Sequence, residues 1–278
     1  MVTEKILPKK IIKVENCQHE DVLLKNNNDI TLFSIKNYCE VMPNGYIILD
    51  FGKEYQGGVN IFSFKMDKKR QAKIRIRFGE SVMECCSDIG FKNSSNDHAI
   101  RDDVVSIPWC GELDFGMTGF RFCRIDNVDD VTVRFSQVFC LYKHSGKEIL
   151  GSFCCDDEII NNVWDASVRT IYLNNNDYIT DGIKRDRAVW IGDMYPETLS
   201  VLNLMGNDKS LLNSLDLLMK SNEFPKWING IPSYSLWWII NLYEIYLYEG
   251  NTDIFYERLN YIESLVLAIV SLVDQNGE

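Results

Sequence analysis

The sequence predicts an antiparallel β-sandwich followed by a helical domain. Two patterns along the chain indicate this order. Up to about residue 145, apolar residues alternate with polar ones or form short runs, as in β-strands. After Gly151 they recur with the helical period of about 3.6 residues. Because 278 residues exceed the usual size of one hydrophobic core, we place two domains, at residues 1–148 and 149–278.

Six segments of the first part have the pattern of short strands with one face in water. They are residues 46–51, 59–64, 73–78, 104–107, 120–125 and 131–135. Turn-forming residues separate them at 43–45, 57–58, 93–97, 116–119 and 126–130. Many short strands without helices between them favour an antiparallel sandwich.

Five helices are predicted in the second part. The first has its apolar face at Ile159, Ile160, Val163, Trp164, Val168, Ile171 and Tyr172, with Asp156 or Asp157 as its N-terminal cap. The others run from near Pro196 to Gly206, over 211–219 after Asn207 and Asp208, from about 236 to a stop at Gly250, and from Thr252 to a stop at Asn276 and Gly277. Their short connections predict that neighbouring helices pack antiparallel.

The fourth and fifth helices are apolar over wide arcs of their surface. A helix that is apolar nearly all round needs burial on several sides. The sequence ends soon after the fifth helix. We therefore expect further helices of this domain that the present sequence does not contain.

The overall charge excludes two classes of partner. The formal net charge of -11 at pH 7 repels phosphate backbones and anionic lipid headgroups. We therefore expect neither a nucleic acid nor a membrane as partner. The sequence leaves the oligomeric state open, a homo-oligomer included.

The nine cysteines argue against both a disulfide framework and a zinc site. Their number is odd, and no two are spaced as Cys-x-x-Cys. We expect a reducing compartment and neither a metal nor another cofactor. The first residues lack the apolar core of a signal peptide, and the longest apolar run, 265–273, is far shorter than the roughly 20 residues that span a bilayer. The expected location is cytoplasmic.

The chemically densest segment is 181–193, which reads Asp-Gly-Ile-Lys-Arg-Asp-Arg-Ala-Val-Trp-Ile-Gly-Asp. Carboxyl groups transfer protons, arginine and aspartate side chains bind hydroxyl groups, and an indole packs against a sugar ring. This combination predicts a sugar pocket, and the alternative is an ion network at the start of a helix. The candidate residues are Asp181, Arg185, Asp186, Arg187, Trp190 and Asp193.

Three blocks of sequence, taken in order, carry a family resemblance. The first holds Leu-Asp-Phe-Gly at 49–52 and Arg-Phe-Gly-Glu-Ser at 77–81, the second holds Thr-Gly-Phe-Arg-Phe at 118–122 and Gly-Ser-Phe at 151–153, and the third is 181–193. Together they resemble the bacterial α-L-rhamnosidases of glycoside hydrolase family 78, over most of the chain. The resemblance implies the N-terminal portion of such an enzyme: a β-sandwich followed by the first helices of an (α/α)6 six-hairpin barrel, incomplete in this sequence.

The resemblance implies a hydrolase that cleaves terminal α-L-rhamnosyl bonds of an oligosaccharide or glycoside with inversion. Inversion requires a general acid and a general base whose carboxyl groups lie roughly 6.5–9.5 Å apart. The family's base is a glutamate much later in the barrel, beyond the position of Glu278. We therefore expect residues 1–278 alone to be inactive.

One departure from the family concerns the acid. The family pattern has a glutamate after Arg-Asp, which the resemblance implies to be the general acid, whereas Arg185 and Asp186 are followed here directly by Arg187. Either Asp186 replaces that glutamate or another carboxyl group is the acid, with Glu197 as the nearest candidate. Glu197 also fits a structural role, because an acidic residue at a helix start complements the helix dipole.

The resemblance assigns the remaining residues of the segment to the sugar. Asp181 and Asp193 would hold hydroxyl groups or water. Arg185 and Arg187 would orient these groups and tune the acid, and Trp190 would form a wall of the pocket.

Two other functions stay open. The missing glutamate favours another six-hairpin glycosidase with a different sugar preference. A barrel without its base favours a non-catalytic carbohydrate-binding or assembly module, in which the sandwich binds. Trp227, in a predicted loop, is a further candidate to stack on a sugar ring.

Overall fold

The computed structural model describes residues 1–26, 37–91, 99–222 and 226–275. The chain forms two compact units, residues 1–144 and 145–278. The first unit is built mainly from strands and the second from helices. The predicted domain boundary, between 148 and 149, lies just after this division.

The described part of the first unit forms a seven-stranded sheet. Its strands are β1 Val2–Ile6, β2 Lys10–Gln18, β3 Cys39–Ser63, β4 Ala72–Gly79, β5 Asp102–Ile107, β6 Gly111–Asn127 and β7 Val133–His144. The order in the sheet is β1-β7-β3-β6-β4-β5, and β2 pairs with β3. The pairs β1–β7, β2–β3, β3–β6, β4–β5 and β4–β6 are antiparallel. β3 and β7 pair in parallel. The other pairs bear out the predicted antiparallel β domain, which contains this one parallel pairing among the described strands.

Three of the predicted turns are wrong, because their glycines lie inside long strands. β3 continues through 43–45 and 57–58, and β6 continues through 116–119. Gly57 approaches β7 so closely that a Cβ would lie 1.8 Å from the carbonyl oxygen of Leu141. These glycines mark irregular strand pairing rather than chain reversals. The predicted turn at 93–97 lies outside the described residues.

Residues 46–51 of β3 are buried on both faces, whereas the sequence predicted one face in water. The short helix α1, Val82–Cys86, explains part of this burial. Its Cys85 packs with Tyr46 and Ile48 of β3 in a small apolar cluster. The alternating pattern alone does not show that a helix would cover this face.

Six helices occur in the described part of the second unit: α2 Glu158–Asn174, α3 Met194–Met205, α4 Lys209–Ser221, α5 Pro232–Glu249, α6 Asp253–Tyr256 and α7 Leu259–Val270. The carboxylate of Asp157 caps α2 by accepting from the N–H of Ile159 (2.8 Å), and Asp208 caps α4. Gly206 and Gly250 end α3 and α5 with positive φ. These caps confirm the predicted starts of α2 and α4 and the predicted ends of α3 and α5, whereas α5 begins at Pro232 and not near 236.

The predicted fifth helix is wrong as a continuous helix. The helix is interrupted between α6 and α7, where Arg258 points inward and is 6% exposed. Its guanidinium donates to both carboxylate oxygens of Asp216 on α4, at 2.7 and 3.0 Å. This contact between distant positions overrides the local helical pattern. The predicted stop at 276–277 lies outside the described residues.

The core of the second unit surrounds the fully buried Trp238 of α5. α2 reaches this core only from Trp164 onwards. Ile159, Ile160 and Val163 are therefore exposed, contrary to the prediction that they share the buried face. Within the described ranges, no helix is long and apolar enough to cross a membrane.

Candidate active site

The described part of the second unit has an open depression with a cavity volume of about 380 Å³. Five predicted site residues line it, and a sixth residue, Tyr234, joins them. The lining consists of Asp181, Asp186, Trp190, Asp193, Glu197 and Tyr234. The structure thus gathers four carboxyl groups and two aromatic side chains around one space.

Two hydrogen bonds close the loop that carries Asp186. The N–H of Asp181 donates to the carbonyl oxygen of Ala188 (3.1 Å), and the N–H of Ala188 donates to Oδ1 of Asp181 (2.9 Å). We call this pair of bonds the Asp181–Ala188 clasp. At the tip of the loop, Asp186 and Arg187 have φ values of +55° and +53°, which residues other than glycine adopt uncommonly. Such conformations persist only where the surroundings hold them.

Asp186 forms an ion pair with its neighbour Arg185. Nε of Arg185 lies 3.2 Å from Oδ1 of Asp186, and the two side chains are 53% and 41% exposed. An ion pair this exposed contributes little to stability. Arg187 is half-buried, and both arginines lie outside the lining of the depression. Their predicted role in orienting sugar-binding groups and tuning the acid stays a prediction.

Two asparagine side chains hold the backbone beside Trp190. Asn229 accepts from the N–H of Ile191 (3.2 Å) and donates to the carbonyl oxygen of Val189 (3.1 Å). Asn241 of α5 donates to the carbonyl oxygen of Ile191 (3.5 Å). Backbone polar groups that leave water need such partners, and this segment lies outside helix and sheet. The amides therefore fix the position of Trp190 at the depression.

Tyr234, in the first turn of α5, was missed from the sequence. Its ring stands edge-on to the indole of Trp190, with centroids 6.4 Å apart and an angle of 85°. Its hydroxyl donates to Oδ2 of Asp193 (3.4 Å). Gly192 makes room for the ring, because a Cβ there would lie 2.3 Å from it. Gly192 is the one sequence signal of this close approach, but it does not reveal which ring approaches.

Glu197 lies one helical turn after Asp193, so both side chains face the depression. Burial, together with repulsion from the carboxylates of Asp181 and Asp193, raises the pKa of Glu197 to about 7. The nearby helix N-terminus favours the charged form, but burial and repulsion outweigh it. A carboxyl group with this pKa holds and releases a proton near neutrality, as general acid–base catalysis requires.

Trp227 stands apart from this group. It is half-buried, precedes the short 3-10 turn Ile228–Gly230, and lies outside the lining of the depression. Its predicted stacking on a sugar stays a prediction. In the part of the chain that the structure describes, no group of three or more His, Cys, Asp or Glu side chains is arranged to hold a metal ion.

The region that contains the depression matches a known family model. Residues 148–269 match the family model of the bacterial α-L-rhamnosidase six-hairpin glycosidase domain. The match covers most of the second unit and less than half of the chain. The matched range includes every residue that lines the depression. No curated protein matches the chain.

Solved rhamnosidases share the fold of this chain. The rhamnosidase from Klebsiella oxytoca with rhamnose bound is 15% identical, with a TM-score of 0.75 over 99% of this chain and 57% of that one. The family 78 rhamnosidase of Bacillus sp. GL1 is 18% identical, with a TM-score of 0.65 over 87% and 25%. The α-L-rhamnosidase from Dictyoglumus thermophilum is 20% identical, with a TM-score of 0.64 over 80% and 26%. At these identities the likeness concerns the fold, and it confirms the predicted β domain followed by barrel helices. The chain spans 57% of the first structure's length and about a quarter of the other two.

Proposed function

We propose that the protein is a glycoside hydrolase that acts on terminal α-L-rhamnosides. The observation that carries this proposal is the depression, which combines four carboxyl groups, an indole and a phenol within a rhamnosidase-type domain. Carboxylates suit the hydroxyl groups of rhamnose, and Trp190 and Tyr234 suit the apolar face of its ring. The Klebsiella oxytoca structure has rhamnose bound, which supports a rhamnosyl group as the ligand.

The proposed reaction is hydrolysis with inversion. An acid protonates the glycosidic oxygen while a base activates water on the opposite face of the sugar. We assign the role of general acid to Glu197, because its pKa of about 7 lets it carry a proton near neutrality. Asp186 is the alternative, since its exposed position at the loop tip suits a leaving group that extends into solvent. The base is proposed to be a glutamate of a later helical hairpin.

Asp181 and Asp193 have two proposed tasks. Each accepts hydrogen bonds from hydroxyl groups of the sugar. Burial is the main cause of the raised pKa of Glu197, and the negative charges of Asp181 and Asp193 raise it further. Substrate binding and proton holding therefore depend on the same two carboxylates.

A panel of aryl glycosides tests the proposal on the complete gene product. We expect turnover of aryl α-L-rhamnoside, with the β-anomer of rhamnose as the first product in the NMR spectrum. Turnover of another sugar alone would favour the second candidate, a six-hairpin glycosidase of different preference, which the absence of the family glutamate between Asp186 and Arg187 supports. Hydrolysis by residues 1–278 alone would contradict the assignment of the base to a later hairpin.

A further inference from the structure

Two cysteines of the first unit meet across neighbouring strands. Cys17 lies near the end of β2, and Cys39 begins β3. Cys17 pairs with Val41, so Cys39 is its diagonal neighbour on the same face of the sheet. The two Sγ atoms are 3.3 Å apart. A disulfide bond is about 2.05 Å long, so the sulfurs need to approach by only about 1.3 Å to form one.

The two thiols differ in exposure and in acidity. Cys17 is half-buried, whereas Cys39 is fully buried. The two sulfurs are within hydrogen-bonding distance, and this contact with Cys39 lowers the pKa of Cys17. The same contact, together with burial and the carboxylates of Glu20 and Glu40, raises the pKa of Cys39 well above its usual range. Cys17 is therefore the thiolate that a reagent reaches, and Cys39 is the protonated thiol behind it.

We propose that Cys17 and Cys39 form a thiol–disulfide exchange site that reacts with low-molecular-weight disulfides. The Cys17 thiolate attacks one sulfur of the reagent, forms a mixed disulfide and releases one reagent thiolate, which takes the proton of Cys39. The Cys39 thiolate then attacks the sulfur of Cys17 and releases the second reagent thiolate. This thiolate takes the proton that Cys17 had given to solvent. Two protein thiols are oxidised, and the reagent disulfide is reduced to two thiols.

The other cysteines provide controls inside the same molecule. Burial raises the pKa of Cys85, Cys123 and Cys140, which keeps them as unreactive thiols. Cys86 and Cys154 are exposed, and each adjoins another cysteine in sequence. A disulfide between adjacent residues departs from the preferred geometry. Cys154 therefore measures the reactivity of an exposed thiol in this chain. Cys86, which hydrogen-bonds Arg124, is the more demanding comparison.

A Cys17–Cys39 bond would fasten β2 to the sheet. β2 pairs with β3 outside the main strand order, so this pairing is what holds it to the described sheet. The bond would close a loop between positions 22 residues apart, which constrains the unfolded chain. We expect oxidation to raise the Tm of the first unit by a few degrees, and dithiothreitol to reverse the rise.

The test uses the purified chain and oxidised glutathione, followed by alkylation of the remaining thiols, digestion and mass spectrometry. We expect a linked peptide that contains Cys17 and Cys39, that dithiothreitol cleaves, and that forms faster than glutathione adducts of Cys86 and Cys154. Cys39→Ala should stop the reaction at the mixed disulfide on Cys17. Cys17→Ser should leave Cys39 unmodified.

Two results would overturn the proposal. One is glutathione attached to Cys39 in the Cys17→Ser variant, because the buried thiol would then react on its own. The other is an unmodified Cys17 under conditions in which Cys86 and Cys154 react. Circular dichroism shows whether each variant folds, and where one does not, the wild-type linkage and its rate relative to Cys86 decide the question.

Discussion

Asp50 in the sheet and Glu197 in the depression are carboxyl groups with opposite surroundings. Asp50 is 6% exposed and accepts two hydrogen bonds of 2.8 Å from the guanidinium of Arg121, which hold its pKa below the usual range. Glu197 is half-buried among the carboxylates of Asp181 and Asp193, and its pKa is raised to about 7. In the first unit an arginine neutralises the acid, whereas in the second the acids crowd together. A pKa raised by burial and like charge marks a candidate for chemistry, while a lowered one marks an ion pair that stabilises the fold.

The pairing of Asp50 is common in the first unit. Further arginine–carboxylate pairs bind the sheet: Arg75 with Asp102, Arg77 with Asp126, and Arg134 with Glu40. Most of these groups are largely buried, where an arginine–carboxylate pair is short and geometrically specific. The charges of the first unit thus stabilise its fold, whereas the carboxylates of the depression repel one another and destabilise theirs.

The largest expected effect tests this contrast in the reaction itself. Glu197→Gln removes the titrating proton, so kcat on a rhamnoside with a poor leaving group should fall about 10²–10⁴-fold in the complete gene product. Rhamnosides with good leaving groups need less protonation and should lose much less activity. Asp186→Asn is the matched control. If it shows this dependence on the leaving group and Glu197→Gln does not, Asp186 is the acid.

Breaking the paired acid should destabilise the fold. Asp50→Asn leaves Arg121 without its charged partner, and we expect a loss of about 1–3 kcal/mol in the free energy of unfolding at pH 7. Because the pKa of Asp50 is lowered in the folded state, this contribution is present above the unfolded pKa and is lost as pH falls. Urea unfolding at pH 7 and pH 3 measures it. Lys68→Ala, which removes an exposed ion pair with Asp130, should change little, and an equal loss in both variants would contradict the argument.

Neutralising Glu197 should raise the free energy of unfolding, whereas neutralising Asp50 should lower it. The pKa of Glu197 is raised on folding, so its contribution to stability is present below the unfolded pKa and is lost as pH rises to about 7. Glu197→Gln should therefore stabilise the second unit at pH 8 by about 1 kcal/mol in total. This is less than the roughly 1.36 kcal/mol for each unit of the pKa shift that a fully buried group would give, because solvent screens a half-buried group. At pH 4 the variant and the wild type should unfold alike. Thermal unfolding at the two pH values checks this, and a shift that is the same at both would rule out the raised pKa.

The smallest effect concerns the hydroxyl of Tyr234. Tyr234→Phe keeps the ring against Trp190 but removes the donor to Asp193, so KM for the rhamnoside should rise about 3- to 10-fold with kcat nearly unchanged. Tyr195→Phe is the control, because the hydroxyl of Tyr195 donates to Glu244 (3.3 Å), outside the depression. Equal changes in KM for the two variants would show that Tyr234 does not hold Asp193 for the sugar.

The sequence predicted those features whose causes are local. Asp157 and Asp208 cap helices through N–H groups two residues away, and Gly206 and Gly250 end helices by their own positive φ. The charged segment 181–193 was also recognisable, because its chemistry lies in consecutive residues. Each of these signals lies within a few residues of the structure it specifies.

The features that the sequence did not predict depend on distant contacts. The break before α7 follows from Arg258 reaching Asp216, 42 residues away, and the position of Tyr234 follows from packing on Gly192. The Gly57–Gly58 pair is typical of a turn, but Gly57 instead lets β7 approach β3 closely. The pattern of a single sequence does not show which distant segment will pack against a given residue.

The Asp181–Ala188 clasp has a consequence for how this site can change over evolutionary time. It joins the two ends of the loop, so the tip at 185–187 can gain or lose a residue while Trp190 stays fixed by Asn229. The sequence at the tip is one residue shorter than the family pattern it resembles. A change of length at the tip should therefore move Asp186 and leave the position of Trp190 unchanged.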